Sequence, residues 1–518
     1  MKQFVVFTPV MQRHKLIAVL LTVVALALRL SFTHHPFWID EFSSANQALL
    51  MIRHGFGVLQ LEDAYFEYQN ITTHLIIALS FLVFGASEWS ARIPIILLGS
   101  LVPIATYLLT FRVVEKKTIA LIAAIFATTS YFLITWSNQA RGYPIQQLMT
   151  LLLFYFYLPI RKRQHNNWKQ YILPGIFAFL GVLTHTSFLI VTTIILADYS
   201  YQHRRNKTVI ISMIIIAASI GLLLGILGIG LAIQQTLTAG ALWANNLWYY
   251  HSFLWREHTL ISFLGVIGLI VSFFKYEKSR LLIFFATAYF SFFLFIYKPF
   301  TSRYLLVIFP FLYLGAGISI YYFARAIAKE AWVSTTAFAI CLSIIANGNT
   351  FVTSPKKYYS VNHDFREIAL INYDEIYNIM KEKIDESNNE IVVIDTWWDR
   401  TRWYLGVDYR PLYALRWENE NDLINGLPKS TPYILDKNED KIIYKSDGIV
   451  LVSNLGDLKK TVKKYPKGFI FIDDASLPAD VIKHAQENFH EELYLDHYPP
   501  DDNPHSIWPS TLYSWGFN

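Results

Sequence analysis

The chain has 518 residues, of which 54% are hydrophobic and 16% are charged, and its mean hydropathy is +0.32. Soluble globular proteins carry about 25% charged residues, so this composition excludes both a soluble enzyme and a disordered chain. The one cysteine, Cys341, excludes an intrachain disulfide and a cysteine-rich metal site.

Charge divides the chain into two parts. Residues 1–351 contain 25 Lys and Arg but 11 Asp and Glu, whereas residues 352–518 contain 19 and 28. The first part is basic and apolar and predicts a membrane module. The second part is acidic and more polar and predicts a soluble domain that follows the last apolar run.

Apolar runs long enough to cross a bilayer recur through the first part. They predict a polytopic α-helical membrane protein with about 11 transmembrane helices, counted by the length that a hydrocarbon layer requires. The predicted spans cover residues 16–33, 92–112, 118–135, 144–160, 170–184, 186–200, 208–234, 259–274, 281–297, 304–324 and 331–348.

Basic residues predict the orientation of these spans. With the N-terminus in the cytoplasm, 18 of the 25 Lys and Arg residues of the first part fall inside, as the positive-inside rule requires. A long first loop, residues 34–91, and the domain 352–518 are then outside. The apolar run Leu75–Phe84 is too short to span, so we expect an interfacial helix within that loop.

Acidic residues of the membrane part collect in this first external loop. Six of the 11 lie there, namely Asp40, Glu41, Glu62, Asp63, Glu67 and Glu88. A carboxylate next to aromatic residues at a membrane face suits a general base. The alternative is an ordinary solvated loop.

Five short motifs then give a family resemblance. They are FWIDE at residues 37–41 after a first helix that ends in ALRL, SEWSARIP at residues 87–94, SNQARGYP at residues 137–144, SRYLL at residues 302–306 and DFR at residues 364–366. In this order the motifs resemble the GT-C type glycosyltransferases of family 39, the bacterial relatives of protein mannosyltransferases and aminoarabinose transferases. The resemblance covers roughly residues 20–370.

The resemblance implies an inverting transferase that takes a sugar from a polyprenyl phosphate, with undecaprenyl phosphate as the expected carrier. A carboxylate must then accept the proton of the attacking hydroxyl, and we predict Asp40 for this role, with Glu41 beside it. Glu41 could instead anchor the loop or pair with a cation. Arginine binds phosphate through two parallel hydrogen bonds, which favours Arg141 and Arg303, with Lys298 as an additional point charge.

Other residues are predicted to contact the sugar or the acceptor. They are Trp38, Tyr143, Tyr304, Glu62, Asp63, Glu67 and His185. Trp38, Trp136 and Tyr143 fit an aromatic belt at the membrane surface equally well. His185 fits a buried, hydrogen-bonded histidine. His34, His35 and Asp40 could hold a divalent metal, although their spacing matches no metal signature.

The C-terminal part alternates short apolar runs with amphipathic segments. Strands are predicted at residues 390–395, 448–452 and 468–473, and helices at 364–384 and 478–488. This alternation is typical of an α/β domain, and it contains no glycine-rich phosphate loop. The domain either shapes the acceptor side or supports the fold.

Two other functions fit the sequence less well. A transporter or flippase of lipid-linked sugars should carry ionisable residues near the middle of the bilayer, where this chain has almost none. An inactive GT-C scaffold is the second, because Gln139 replaces a frequent acidic residue and a His-Pro-Pro segment of the family is absent. We expect a bacterial inner-membrane protein with a lipid-linked donor, a lipid, glycan or protein acceptor, and no nucleic-acid partner.

Overall fold

The computed structural model describes most of the chain. The described residues are 15–31, 36–37, 39–55, 70–162, 168–204, 244–348, 350–351, 373–387, 390–415, 433–436, 441–444, 448–473, 478–495 and 510–517. The predicted span 208–234 and six predicted site residues lie outside them. These six are His34, His35, Trp38, Glu62, Asp63 and Glu67.

Fifteen α-helices precede residue 351 in the described part of the chain. They are α1 Lys15–Leu30, α2 Ile39–His54, α3 Ile71–Phe84, α4 Glu88–Gly99, α5 Val102–Val114, α6 Lys117–Thr129, α7 Tyr131–Ser137, α8 Tyr143–Tyr157, α9 Ile172–Thr184, α10 Phe188–Gln202, α11 Leu247–Ser252, α12 Thr259–Lys275, α13 Ser279–Phe295, α14 Phe309–Ile327 and α15 Val333–Asn347. The predicted spans that fall within the described residues are helical, although 92–112 is divided between α4 and α5 and 118–135 between α6 and α7. The predicted short helix of the first loop is α3.

Three helical segments of the described residues are long and apolar enough to cross a membrane, namely Glu88–Val114, Ser302–Ile327 and Glu330–Asn347. A fourth is counted if Leu247–Glu257 and Thr259–Lys275, bent by 104° at their junction, form one span. Six further apolar helices have 10–17 residues. The polytopic helical architecture is confirmed, and the total of eleven spans remains a prediction.

Helices α12 and α14 approach each other at glycines. A Cβ added at Gly268 would lie 1.7 Å from the carbonyl oxygen of Gly315, and one added at Gly315 would lie 2.1 Å from that of Gly265. Ser319 also donates a hydrogen bond of 2.7 Å across this interface to the carbonyl of Leu264. Small residues let membrane helices pack backbone to backbone, and here they fix the crossing of α12 and α14.

We therefore expect Gly315→Ala to separate these helices and to lower the free energy of unfolding by about 1–3 kcal/mol, the usual cost of overpacking. The matched control is Gly175→Ala in α9, where an added Cβ would meet no described heavy atom within 4 Å. The thermal unfolding midpoints of the two variants in detergent check this. Equal midpoints would show that the close approach does not contribute to stability.

The C-terminal part forms an eight-stranded sheet with flanking helices. Its elements are α16 Tyr373–Asp385, β1 Ile391–Asp395, α17 Trp398–Leu405, β2 Leu412–Leu415, β3 Tyr433–Asp436, β4 Lys441–Tyr444, β5 Val450–Val452, α18 Leu455–Lys464, β6 Lys467–Ile472, α19 Ala479–Asn488, β7 His490–Leu495 and β8 Ser510–Trp515. The strand order is β3-β4-β5-β2-β1-β6-β8-β7. Strands β5, β2, β1 and β6 are parallel, and the outer strands pair antiparallel.

Strand β1 is central because both of its faces are apolar. Ile391 and Val393 pack into the same core as α2 and α3. Val392 and Ile394 pack on the opposite face with α18 and α19. A strand buried on both faces is expected to read as one continuous apolar run, and that is how this segment appears in the sequence.

Helix α17 joins the sheet domain to the membrane part. The ring of Trp403 lies 5.1 Å from that of Phe37 and 5.9 Å from that of Phe81. Asn46 of α2 donates a 2.6 Å hydrogen bond to the carbonyl of Asp399. Tyr404 donates one of 2.9 Å to Glu88. The two parts therefore share one hydrophobic core, and the C-terminal domain packs directly on the helix that carries Asp40.

Candidate functional site

Asp40 lies in the first turn of α2. Asp40 and Glu41 stand at the N-terminus of this helix, and Arg53 and His54 stand in its last turn. This charge order complements the helix dipole, so the sequence favours a helix that begins here. The Asp40 side chain is 30% exposed, which leaves the carboxylate accessible to a ligand.

Two arginines from distant parts of the chain meet at this carboxylate. Arg303 donates a hydrogen bond of 3.0 Å from Nη1 to Oδ2 of Asp40. Arg141 places Nη2 3.6 Å from the same oxygen. Its Nη1 also donates to the Asp40 carbonyl at 3.0 Å and to Oγ of Ser44 at 3.1 Å. Two fixed cations around one carboxylate leave a net positive charge at a partly exposed site.

Arg141 reaches this position from the short connection between α7 and α8. The next residue, Gly142, packs so closely that a Cβ there would lie 2.5 Å from Oγ1 of Thr73 and 2.9 Å from Cγ2 of Thr184. A glycine is therefore required for the connection to pass between α3 and α9. That passage fixes where the Arg141 side chain begins.

Glu41 has a different environment from its neighbour Asp40. Its side chain is fully buried and forms a two-bond ion pair with Arg92, which donates from Nε at 2.8 Å and from Nη2 at 2.9 Å. Glu41 also accepts from the backbone N–H of Ala140 at 2.7 Å. The structure thus supports the anchoring alternative for Glu41 and not a catalytic role, since an enclosed carboxylate held by Arg92 cannot meet an acceptor.

Arg92 links further segments to this anchor. Its Nη2 donates to the carbonyl of Pro36 at 2.9 Å, and its guanidinium lies 4.9 Å from the centroid of the Phe37 ring. The ion pair therefore ties the start of α2, helix α4 and the connection that carries Arg141. These are the segments that place Asp40 beside Arg141.

Aromatic rings line the other side of the site. The Arg303 guanidinium carbon lies 5.8 Å from the ring centroid of Trp136 and 5.7 Å from that of Tyr143, within range of a cation–π interaction. Trp136 and Tyr143 are buried, so the aromatic-belt alternative is wrong for these two. Tyr304, next to Arg303, stacks on Phe293 with ring centroids 4.7 Å apart.

His185 lies beside these rings. Its ring centroid is 5.2 Å from that of Tyr143 and 6.5 Å from that of Tyr304. It sits in the turn between α9 and α10, half-buried. Burial and the charges of Arg141 and Arg303 lower the pKa of His185 to about 3, so the imidazole is neutral at physiological pH.

Lys298 does not join this group. It is exposed in the segment before Arg303, and no ion pair links it to Asp40 among the described residues. Of the predicted site, the structure brings together Asp40, Arg141 and Arg303, with Tyr143, Tyr304 and His185 beside them. The roles given to these residues remain predictions.

The predicted divalent metal also remains a prediction. His34 and His35, two of its three predicted ligands, lie outside the described residues. Within the described part of the chain, no group of three or more His, Cys, Asp or Glu side chains is arranged to hold a metal ion.

Sequence reasoning missed Ser44, Gln146 and Ser187. Ser44 follows Asp40 by four residues, so helical spacing alone places both on one face of α2 and could have identified it. Gln146 donates to Ser187 Oγ at 2.7 Å and lies in α8, where Gln147 and Thr150 are also polar among largely apolar residues. The polarity of that position is the signal that was available.

A family comparison matches part of the chain. Residues 70–227 match the model of the dolichyl-phosphate-mannose-protein mannosyltransferase family. This segment contains Arg92, Arg141 and His185, and it ends before Arg303. A comparison with curated protein sequences gives no match.

Solved structures resemble the whole chain. ArnT from Cupriavidus metallidurans in the apo state is 12% identical, with a TM-score of 0.60 over 97% of this chain and 98% of ArnT. The same protein bound to undecaprenyl phosphate gives a TM-score of 0.55 over the same shares at 12% identity. The archaeal oligosaccharyltransferase AglB from Archaeoglobus fulgidus, in complex with an inhibitory peptide and a dolichol-phosphate, gives 0.54 over 88% of this chain and 69% of AglB at 13% identity.

These comparisons establish the fold. The resemblance to GT-C proteins predicted from the five motifs is confirmed, and so is the combination of a helical membrane module with a C-terminal sheet domain. The chain is a multi-pass membrane protein.

Proposed function

We propose that this GT-C membrane protein is an inverting glycosyltransferase that moves a sugar from a polyprenyl phosphate to an acceptor at the outer face of a bacterial inner membrane. The observation that carries the proposal is the meeting of Asp40 with Arg141 and Arg303. Undecaprenyl phosphate is the carrier we favour, supported by the ligand of the similar ArnT structure.

The reaction divides between the carboxylate and the two arginines. The acceptor hydroxyl oxygen attacks the anomeric carbon, and the bond from that carbon to the phosphate oxygen breaks. Asp40 takes the hydroxyl proton, and the bonding electrons go to the phosphate oxygen. Arg141 and Arg303 donate hydrogen bonds to the phosphate, where negative charge develops, which lowers the barrier.

The donor phosphate competes with Asp40 for the same guanidinium groups. Arg303 donates a hydrogen bond to Asp40 in this structure. A bound phosphate would accept that hydrogen bond in place of Asp40. The carboxylate would then be released to accept a proton. Binding of the donor therefore prepares the base.

The predicted topology supports an external site. Asp40 follows the first predicted span, Arg141 connects the third and fourth, and Arg303 opens the tenth. With a cytoplasmic N-terminus, each of them lies at an outer end of a span. Their meeting at one site is what this orientation requires, and it puts the C-terminal domain outside as well.

The test is a transfer assay on the purified full-length chain in lipid vesicles. Undecaprenyl phosphates carrying different labelled sugars serve as donors, and a crude envelope fraction serves as acceptor. We expect one donor to give labelled product with inverted anomeric configuration, and protein-free vesicles to give none. Repeating the assay with EDTA tests the predicted metal.

Two results would contradict the proposal. Movement of the labelled lipid between leaflets without covalent transfer would favour the transporter or flippase. Tight donor binding with neither transfer nor movement would favour an inactive scaffold.

A further inference from the structure

The hydrogen bonds of His185 determine which ring nitrogen carries its proton. The backbone N–H of Ser187 donates to Nδ1 of His185 at 3.2 Å. A backbone N–H can only donate, so Nδ1 must accept and cannot be protonated. A neutral imidazole then carries its one proton on Nε2.

The Ser187 hydroxyl strengthens this assignment. Its Oγ accepts from Nε2 of Gln146 at 2.7 Å and lies 3.3 Å from the hydroxyl of Tyr289. It also lies 2.8 Å from Nδ1 of His185. A hydroxyl has one proton and two lone pairs, so it accepts from Gln146 and Tyr289 and donates to His185. All the hydrogen-bonding capacity of the Ser187 hydroxyl is then used, and the imidazole is held in place at Nδ1.

The other ring nitrogen, Nε2, faces a different situation. Within the described part of the chain, no hydrogen bond engages Nε2 of His185. Tyr143 contacts both the His185 ring and the Arg303 guanidinium, and Arg141 and Arg303 both act electrostatically on the imidazole. A neutral hydrogen-bond donor therefore lies in the neighbourhood of two cations.

We infer that the Nε2–H of His185 is a third hydrogen-bond donor to the phosphate of the polyprenyl-phosphate donor, alongside Arg141 and Arg303. The inference rests on the proposed function. A neutral imidazole adds a hydrogen bond without adding a third positive charge that Arg141 and Arg303 would repel. Gln146, Ser187 and Tyr289 are then positioning residues, since they act through the ring.

The amide side chains allow a sharp test. The amide nitrogen of glutamine can occupy the position of Nε2 in histidine, whereas that of asparagine reaches only to Nδ1. His185→Gln therefore keeps the proposed donor and His185→Asn removes it. His203→Asn, at the opposite end of α10, is the matched control.

The probe is farnesyl phosphate, a short polyprenyl monophosphate, titrated against the full-length chain in lipid nanodiscs. We expect His185→Asn to weaken its binding by about 10-fold or more, the effect of one hydrogen bond to a charged group. His185→Gln should stay within about threefold of the wild type, and His203→Asn should match it. Farnesol, which lacks the phosphate, should bind all four proteins alike.

A second variant keeps the test valid if His185→Asn folds poorly. Ser187→Ala leaves the imidazole and the backbone N–H in place but removes the hydroxyl, and about threefold weaker binding of farnesyl phosphate is expected. Inorganic phosphate is titrated in parallel. Loss of its binding in the same order would place the effect at the phosphate itself.

The outcomes separate this inference from the proposed function. A wild type that does not bind farnesyl phosphate would overturn both. A wild type that binds, with His185→Asn binding equally well, would overturn the inference alone. An equal loss of farnesol binding, or a glutamine variant as weak as the asparagine variant, would show that His185 only packs.

Discussion

Replacing Asp40 with asparagine is expected to reduce the rate of sugar transfer by about 10²–10⁴-fold, the usual contribution of a general base. The amide cannot accept the hydroxyl proton, yet it has nearly the same size. The substitution also removes the carboxylate that competes with the donor for Arg303. Binding of undecaprenyl phosphate should therefore be unchanged or tighter in Asp40→Asn, while turnover is lost.

Lost turnover combined with unchanged or tighter donor binding in Asp40→Asn would identify Asp40 as the base. The measurement is the transfer rate at saturating donor, together with a binding titration using undecaprenyl phosphate. Asp408→Asn is the matched control, because its carboxylate is 66% exposed in an ion pair with Arg53 and lies away from Arg141 and Arg303. Transfer that survives in Asp40→Asn would remove Asp40 as the base and direct attention to Glu62, Asp63 and Glu67.

Much of the membrane part could be predicted from the sequence because its signals are local. An apolar run of the right length specifies a helix in a membrane, whatever its neighbours are. The basic loops then place Asp40, Arg141 and Arg303 on one side. Their actual contact, across 263 residues between Asp40 and Arg303, needed the structure, because no local pattern specifies which span ends meet.

The ion pair of Glu41 with Arg92 is a second contact that the sequence could not predict. Arg92, the partner of Glu41, lies 51 residues away along the chain, and adjacent carboxylates look equivalent in a sequence. Adjacent residues on a helix point in directions about 100° apart, so the side chains of Asp40 and Glu41 in α2 meet different surroundings. Asp40 turns to the partly exposed site, and Glu41 turns into the protein.

The strands that were missed have a related explanation. Strands β1, β5 and β6 carry continuous apolar runs and were predicted. Strand β8, Ser510–Trp515, is fully buried but reads STLYSW, which contains no such run. It is buried because Leu512 packs into the core on one face of the sheet, and Tyr513 and Trp515 pack into the core on the other. Burial given by the layers packed on both faces leaves no periodicity in the strand itself.

Replacing Glu41 with glutamine is expected to lower the free energy of unfolding by about 3–5 kcal/mol, because the buried Arg92 charge loses the carboxylate that accepts two of its hydrogen bonds. The pair is almost completely enclosed, with side-chain exposures of 1% for Arg92 and 0% for Glu41. Glu115→Gln is the matched control, since Glu115 pairs with Lys278 while 71% exposed. Such exposed pairs contribute about 0–1 kcal/mol.

A double substitution separates two effects of Glu41→Gln: the loss of the ion pair itself, and the cost of leaving the Arg92 charge buried without its partner. Glu41→Leu with Arg92→Met removes both charges at once, and replacing both members of a buried pair with apolar residues is often neutral. We therefore expect the double variant to be more stable than Glu41→Gln when thermal unfolding midpoints are compared in detergent. It should still transfer sugar poorly, because the start of α2 has lost the contacts that place Asp40 beside Arg141. A Glu41→Gln protein with the wild-type midpoint and no transfer would instead return Glu41 to the list of catalytic groups.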